Sequence, residues 1–504
     1  MNTFRRLRAN LALMTTGALL VVLPGASAFA KTTLTVALET DARGFDAVKG
    51  GVLGASAGTV SHTIHDTLFI RDLETGEMKP GLAESWSQSD DKKTFIVKLK
   101  KGVEFHDGSP FTAKDAADHL NRILDPKNKS RSRSFITAIE GAKAIDEHTV
   151  EYTLKHPWQP FVGALASINM IGLIPSHKNV EADKQNRHPV GTGPYRFKNW
   201  AGGDRIVVER NPRYHVPGVA KVDEIVFRIL PDTQARFAAL KAGEVDVIWT
   251  DRGNTIKAAQ KDNSLKVIAR PGKGAKITFL NASKPPLDDV RVRQALAHAW
   301  NQTAILNVTW KNTVPFARHA LGADAECDDG YLDYDPEKAK ALLADYAEPV
   351  SLEMIHTTTP RGRELGEIMQ QLFKQVGVGM KLVPVDQNTL VKKVFTNDYQ
   401  ISGWRVADAD DVGPQLYALS FSDSRYNLTR LKNEQLDKAA TVMRTAATPA
   451  ARDKGLCDLS RLINQSGNMQ LRGGNKYYVI TRKNVNNVAI TVLGRAQVAY
   501  AWKE

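Results

Sequence analysis

The sequence predicts an α/β protein with at least two domains. Its 504 residues exceed what a single hydrophobic core usually supports. Hydrophobic residues make up 42% and charged residues 24% of the chain, which is typical of a soluble globular protein. Between residues 222 and 249 a strand-like run, a helix-like run and a second strand-like run follow each other. This order is typical of α/β packing.

The first thirty residues have the pattern of a secretory signal peptide. Arg5, Arg6 and Arg8 precede an apolar run over residues 11–23, and small residues follow at 26–30. A membrane anchor is less favoured because the apolar run is short and a proline–glycine pair ends it. No later stretch approaches the roughly 18 apolar residues that a membrane span needs. The sequence therefore predicts a protein exported across the inner membrane, with residues 1–30 removed.

The charge and the cysteines exclude several classes of protein. The formal net charge is +13, and it falls to +10 without the three arginines of residues 1–30. The charges are dispersed, so we expect a solvated basic surface and no nucleic-acid partner. Cys327 and Cys457 are the two cysteines of the chain, too few for a cysteine-based zinc cluster. Whether they form a disulfide is open at this stage.

The stretch from residue 83 to 120 contains the clearest local signals. Residues 94–99 alternate between polar and apolar side chains as a half-buried strand does. Turns follow at Gly102 and at the His-Asp-Gly run of residues 106–108. Thr112 followed by Asp115 is a capping box, which predicts that a helix begins there.

Further elements follow from caps, turns and periodicity. Gly191 and Gly193 are expected to supply unusual backbone dihedrals in a tight turn before a strand. The other predicted helices and strands, in chain order, are a helix over Val60–Leu68, a helix after Asp232 that stops at Gly243, a strand over Lys276–Asn281, a long helix from Asp288 or Asp289, a helix opened by Asp335 and Pro336, a helix over Arg363–Val376, a strand over Met380–Val385 and an extended stretch over Tyr477–Val492.

The sequence contains no motif that argues for catalysis. The Gly-x-Ser-x-Gly elbow of hydrolases and the His-Glu-x-x-His motif of zinc proteases do not occur in it. His106 and Asp107 belong to a turn, and His62 and His65 stand alone without a nearby carboxylate cluster. We therefore predict no enzyme activity, no cofactor and no metal site.

The most suggestive polar cluster lies between residues 401 and 411. An apolar strand ends at Trp404, and Asp408, Asp410 and Asp411 follow within seven residues. Carboxylates at the end of a strand can hold a ligand ammonium group, and a tryptophan offers a flat apolar wall. A solvated acidic loop beside a core tryptophan is the alternative reading of the same residues.

Six segments together resemble the extracytoplasmic solute-binding proteins of peptide and nickel importers. They occur in the family's order, at residues 83–120, 188–195, 210–214, 240–247, 285–301 and 334–343. The resemblance implies an α/β, two-lobed periplasmic-binding-protein fold with a large discontinuous first lobe and hinge strands. It also implies a signal peptide at 1–30, lobe 1 at 31–277 and 476–504 with an inserted subdomain at about 76–188, and lobe 2 at 278–475.

The resemblance also implies ligand-binding residues. Gly403, Trp404 and Asp408 match the family's Gly-Trp and following Asp, which receives a peptide's amino terminus. One extra residue separates Trp404 from Asp408 here, so Asp410 and Asp411 remain alternatives.

For the ligand carboxylate, Arg363 matches the family position best, and Arg361 is the near alternative. A guanidinium suits this task through two parallel hydrogen bonds.

The function implied is that of a monomeric periplasmic binding protein. It would capture a short peptide or peptide-like solute between its lobes and deliver it to an inner-membrane ABC permease. The alternative is a non-peptide solute in the same fold, such as a metal chelate, a sugar conjugate or an opine-like compound. A periplasmic hydrolase or chaperone is less favoured because no nucleophile motif is present.

Overall fold

The computed structural model describes residues 31–49, 54–130, 132–167, 171–323, 326–327, 330–346, 349–406 and 411–504. The predicted signal peptide at 1–30 lies outside the described residues, as do the candidate ligands Asp408 and Asp410.

Helices occur in every part of the described chain. They are α1 (Ala55–Ile64), α2 (Ala113–Leu124), α3 (Phe161–Ala166), α4 (His177–Glu181), α5 (Thr233–Ala242), α6 (Gly253–Gln260), α7 (Val290–His298), α8 (Gln302–Trp310), α9 (Pro336–Ala344), α10 (Pro360–Lys374), α11 (Gln387–Phe395), α12 (Gly413–Ser420), α13 (Glu434–Thr445) and α14 (Pro449–Ser466).

The strands alternate with these helices. They are β1 (Thr33–Leu38), β2 (Phe69–Arg71), β3 (Met78–Pro80), β4 (Ala83–Gln88), β5 (Thr94–Leu99), β6 (Ile139–Asp146), β7 (Thr149–Leu154), β8 (Tyr195–Ala201), β9 (Arg205–Arg210), β10 (Glu224–Ile229), β11 (Val247–Trp249), β12 (Leu265–Leu280), β13 (Ser351–Thr357), β14 (Gly379–Val385), β15 (Ile401–Arg405), β16 (Met469–Arg482), β17 (Val485–Asn486), β18 (Ala489–Ile490), β19 (Ala496–Gln497) and β20 (Trp502–Lys503).

Within the described residues, ten strands form one sheet in the order β14-β13-β15-β12-β16-β11-β1-β10-β9-β8. The long strands β12 and β16 are antiparallel from Leu265 opposite Arg482 to Phe279 opposite Met469. One end of this pair lies beside β11 and the other beside β15. Two strands therefore run from the part of the sheet around β1 to the part around β13. This is the two-lobed α/β arrangement that the sequence predicts.

The pairing of the two long strands is irregular near their middle. The register shifts between Gly272 and Ala275 and again between Lys276 and Ile277. On the facing strand Gly473 has a φ of 143°, a region that favours glycine. Bulges bend strands locally, so these long strands are least regular close to the predicted lobe bounds at 277 and 475. The bounds themselves stay a prediction.

A separate four-stranded sheet, in the order β4-β5-β7-β6, lies in the predicted inserted subdomain. Helix α2 packs against it, and their apolar side chains belong to one buried cluster. The capping box is confirmed, because the Asp115 carboxylate accepts hydrogen bonds from the Thr112 backbone N–H and hydroxyl at 2.9 and 2.8 Å.

The other caps are confirmed as well. Asp232 accepts a hydrogen bond from the backbone of Ala235 at the start of α5, and Gly243 ends that helix with a φ of 78°. Asp335 caps α9 in the same way, with Pro336 in the first turn.

Two helix predictions are wrong in their bounds. Helix α1 begins and ends earlier than the predicted range of residues 60–68. The long helix predicted from Asp288 or Asp289 is two helices, because α7 ends at His298 and Asn301 caps α8 through the backbone N–H of Ala304. Trp300 between them is buried and donates its indole N–H to the Leu471 carbonyl at 2.6 Å.

The glycine turn is confirmed, but its predicted reason is wrong. Gly191 and Gly193 do not have positive φ angles. A Cβ atom on Gly191 would lie 2.3 Å from the Ile64 carbonyl oxygen, and one on Gly193 would lie 2.6 Å from the Ile64 carbonyl carbon. These glycines are therefore required by the close approach of two backbone segments.

The two cysteines form a disulfide. Cys327 and Cys457 are bonded, with Cα atoms 5.5 Å apart. The bond ties α14 to the chain between α8 and α9, both within the predicted lobe 2.

Candidate functional site

The carboxyl ends of parallel strands from the two lobes lie near each other. In lobe 1, β1 and β11 are parallel and are followed by Glu39 and by Asp251. In lobe 2, β13 is parallel to β14 and to β15, and their ends lead to α10, to α11 and to residues 406–411. Ligands of α/β sheets bind at such carboxyl ends. We call the region between these two sets of strand ends the cleft.

Two ion pairs connect the lobes across the cleft. Arg361, in the first turn of α10, binds Asp251 with Nη1 and Oδ2 2.6 Å apart. One residue further along lobe 1, Arg252 binds Glu364 with Nη1 and Oε2 2.9 Å apart. A third contact joins the Arg43 guanidinium to the amide oxygen of Asn388.

Asp251 is the most strongly charged point of this contact. Its side chain is only 14% exposed, and burial by itself would raise its pKa. The charges of Arg361, Lys276 and Arg252 outweigh burial, so the pKa of Asp251 lies below its ordinary value. The charge of Asp251 in turn raises the pKa of Arg361.

Lys276 brings a buried ammonium group to the same region. It lies on β12 at the irregular part of the strand pair, and its Nζ donates to the Gly474 carbonyl at 3.1 Å. The ammonium is also 5.4 Å from the centre of the Trp310 ring. Positive charge therefore exceeds negative charge immediately around Asp251.

Gly403 and Trp404 lie on β15, where both contribute to packing. The Trp404 ring centre is 5.8 Å from that of Phe279 and 6.4 Å from that of Phe395. On the opposite face, a Cβ atom at Gly403 would be 3.2 Å from the Leu365 side chain. These contacts give each residue a structural role, and their predicted role in ligand binding stays a prediction.

The aromatic contacts of Trp404 continue to the inserted subdomain. Phe395 contacts Tyr426 at a ring-centre distance of 5.1 Å, and Tyr426 contacts Phe135 at 5.1 Å. Phe135 lies in the inserted subdomain, so this row of rings links it to lobe 2. Sequence reasoning missed the row because its members are distant along the chain.

Of the three candidate aspartates, Asp411 is the one within the described residues. Its carboxylate accepts the Gly413 backbone N–H at 2.8 Å and forms an ion pair with Arg452. Asp411 is therefore engaged in fixing the start of α12. The predicted role in binding an ammonium group falls more naturally to Asp408 or Asp410.

The two candidate arginines have different environments. Arg361 is engaged by Asp251, whereas Arg363 is exposed. In the part of the chain that the structure describes, Arg363 has no ion-pair partner. Both lie in the first turn of α10, whose cap is the Thr359 hydroxyl accepting from Gly362 N–H.

Sequence reasoning missed Asp251, Arg252 and Glu364. A usable signal was present, because Asp251 and Arg252 follow the apolar end of the strand predicted over residues 245–249. The same reasoning that singled out the acids after Trp404 applies to this strand end.

The described residues contain no group of three or more histidine, cysteine, aspartate or glutamate side chains placed to hold a metal ion. His62 and His65 are buried in α1 and at its end, and burial lowers the pKa of each to about 3. His65 contacts the Ser61 carbonyl and the Gln185 amide. In the same described ranges no helix is long and apolar enough to cross a membrane.

Comparison with known proteins identifies close similarities over most of the chain. The family model of the bacterial extracellular solute-binding proteins, family 5, matches residues 77–427. The glutathione-binding protein GsiB of Pectobacterium atrosepticum is 29% identical over 395 residues, which is 75% of this chain and 76% of that protein.

Solved structures show the same fold. The dipeptide-binding protein of Pseudoalteromonas sp. SM9913, in complex with Met-Leu, superposes with a TM-score of 0.85 at 21% identity, covering 94% of this chain and 100% of that one. NikZ from Campylobacter jejuni, in complex with Ni(L-His), superposes with a TM-score of 0.83 at 21% identity, with the same coverage of 94% and 100%.

Proposed function

The chain belongs to the bacterial extracellular solute-binding proteins of family 5, and on this basis we propose that it captures a short peptide or peptide-like solute in its cleft. The observation that carries the proposal is the meeting of charged side chains from both lobes at the carboxyl ends of parallel strands. A solute bound there contacts both lobes, so it stabilises their closed arrangement. Binding energy of this kind drives closure only if the solute binds the closed state better than the open one.

A peptide suits the charges that the cleft offers. Its amino terminus needs a carboxylate, for which Asp408 and Asp410 are the candidates, with Asp411 the less favoured third. Its carboxylate needs a cation, for which we propose Arg363, since Arg361 is paired with Asp251. The similarity to GsiB, named for binding glutathione, supports a peptide-like solute.

We propose that residues 31–277 with 476–504 and residues 278–475 move as the two lobes, and that the inserted subdomain at about 76–188 belongs to the first. The irregular part of β12 and β16 is where such a hinge motion would bend the chain. Gly473 supports this location, because glycine tolerates a wide range of backbone angles.

The proposed setting is the periplasm, where a monomer delivers its solute to an inner-membrane ABC permease. Members of the family bind solutes, and we propose that this chain releases its solute unaltered. Turnover of a bound peptide would contradict this part of the proposal.

A non-peptide solute is the second candidate, with a metal chelate, a sugar conjugate or an opine-like compound as examples. The fold neighbour in complex with Ni(L-His) supports it. The extra residue between Trp404 and Asp408 supports it as well, because that spacing departs from the pattern that holds a peptide amino terminus.

Native mass spectrometry of the freshly purified protein tests the solute class first, since a retained solute is identified by its mass. Calorimetric titration with a dipeptide such as Met-Leu then tests the residues. Asp408→Asn and Arg363→Ala should each weaken binding by about 10-fold to 150-fold, the range expected for a charged hydrogen bond of ~1.5–3 kcal/mol.

Matched controls are available far from the cleft. Asp204 and Arg205 form an exposed ion pair at the turn between β8 and β9, the outermost strands of the sheet in lobe 1. Asp204→Asn and Arg205→Ala should leave the affinity unchanged. Unchanged affinity in the two cleft variants would contradict the assignment of the peptide ends, and a retained metal chelate would favour the second candidate.

A further inference from the structure

The two ion pairs across the cleft are arranged reciprocally. Neighbouring residues of lobe 1, the acid Asp251 and the base Arg252, each bind the opposite charge on α10. Their partners Arg361 and Glu364 are three residues apart, so they lie on the same face of that helix. The arrangement fixes which cation of lobe 2 meets which carboxylate of lobe 1.

The pair formed by Asp251 and Arg361 differs from its neighbour in one chemical respect. It places a carboxylate of the protein on a guanidinium that lies in the cleft, two residues from Arg363. A carboxylate on a guanidinium is also the contact that the end of a peptide would make. Asp251 therefore occupies a position in which a solute carboxylate would otherwise be bound.

The surroundings of Asp251 make this occupation strong. Its side chain is 14% exposed and is surrounded by Arg361, Lys276 and Arg252. Loss of the carboxylate charge would leave a cluster of cations without its internal counter-ion. An unpaired charge in a half-buried position is costly, and an external carboxylate would relieve that cost.

We propose that Asp251 is a specificity-determining residue that competes with the solute for Arg361. By holding Arg361, it limits the cleft to one open arginine, Arg363, and so disfavours solutes that carry an additional carboxylate at this end. The inference rests on the proposed function, because it concerns the same cleft and the same solute class.

Calorimetry with two probes tests the proposal. The dipeptide Ala-Phe carries a terminal carboxylate, and Ala-Phe amide lacks it. In Asp251→Asn, the affinity for Ala-Phe should increase at least about tenfold relative to the amide, since a second charged hydrogen bond becomes available. Arg361→Ala added to Asp251→Asn should abolish that increase.

Glu364→Gln is the matched control, because it breaks the neighbouring ion pair between the same two elements and leaves Asp251 on Arg361. It should shift the affinities for the acid and the amide by the same factor. If Asp251 acted only by holding the lobes together, Asp251→Asn would behave in the same way as this control, and the proposal would be overturned.

Failure of this inference is distinguishable from failure of the proposed function. A wild-type protein that binds Ala-Phe, together with an Asp251→Asn variant that keeps the wild-type ratio of acid to amide affinity, rejects the inference alone. Absence of Ala-Phe binding to Asp251→Asn also rejects it, because an unoccupied Arg361 has to accept a carboxylate. Retention of a solute that carries no carboxylate by wild-type protein would count against the peptide proposal itself.

Discussion

The ion pair between Asp46 and Arg122 should be the strongest single electrostatic contribution to the stability of lobe 1. The Arg122 guanidinium binds both carboxylate oxygens of Asp46, at 3.0 and 2.6 Å. The Asp46 side chain is 3% exposed and that of Arg122 is 23% exposed. The pair connects α2 of the inserted subdomain to the segment after β1, which also carries Arg43 and its contact with Asn388 of lobe 2.

Arg122→Gln would leave the Asp46 carboxylate buried without a counter-ion. Breaking a buried ion pair in this way costs about 3–5 kcal/mol of unfolding free energy, and the partial exposure of Arg122 favours a loss of about 3 kcal/mol. Burial tends to raise the pKa of Asp46, but Arg122 outweighs it and holds the pKa below its ordinary value. In the variant only burial remains, so that pKa should rise.

The sign of the pH dependence follows from these directions. In the wild-type protein the stability from Asp46 is present above the ordinary carboxyl pKa and is lost as the pH falls through the lowered value. In the variant the buried carboxylate is relieved by protonation, so the difference in unfolding free energy between the two proteins should be smaller at pH 5 than at pH 7.

Urea denaturation of both proteins at the two pH values measures the difference. Lys114→Gln is the control, because Lys114 forms an exposed ion pair with Asp118 on the same helix and should cost less than about 0.5 kcal/mol. A loss in Arg122→Gln no larger than that of the control, or a difference independent of pH, would refute the reasoning.

Three further predictions concern stability. Gly193→Ala should lower the unfolding free energy by about 1–3 kcal/mol in urea denaturation, because its Cβ would lie within 2.6 Å of backbone carbon; unchanged stability would show that the backbone yields there. Replacing both Cys327 and Cys457 by serine should cost about 3–5 kcal/mol, since the disulfide closes a sequence separation of 130 residues; the wild-type protein under reducing conditions should lose a similar amount. Burial lowers the pKa of His65 to about 3 and that of His119 to about 4, so the stability that these neutral histidines allow should be complete above about pH 6.5 and fall at lower pH; a smaller slope between pH 6.5 and 4 in His119→Gln would be the supporting observation.

Local signals in the sequence were read correctly where local chemistry decides the structure. The caps at Thr112, Asp232 and Asp335 satisfy backbone N–H groups within three residues, so neighbours along the chain suffice to predict them. The helix after Asp289 was read as too long because its break depends on the buried Trp300, whose hydrogen-bond partner Leu471 lies 171 residues away.

The candidate site was predicted in part. The arginines of α10 and the tryptophan of β15 were found, since both lie next to strand ends that the sequence marks clearly. The partner of Arg361 was missed because Asp251 is 110 residues away. Their meeting requires β11 and β13 to present their carboxyl ends to the same cleft.

The sequence by itself determined the class of fold, the family and most of the individual helices and strands, because caps, turns and apolar periodicity act over a few residues. Tertiary structure alone decided that Arg361 is paired while Arg363 is exposed, and that Asp411 is bound by Arg452. Those outcomes depend on the order of strands in the large sheet and on the crossing of β12 and β16. The pairing of segments separated by about two hundred residues leaves no local signal in the sequence.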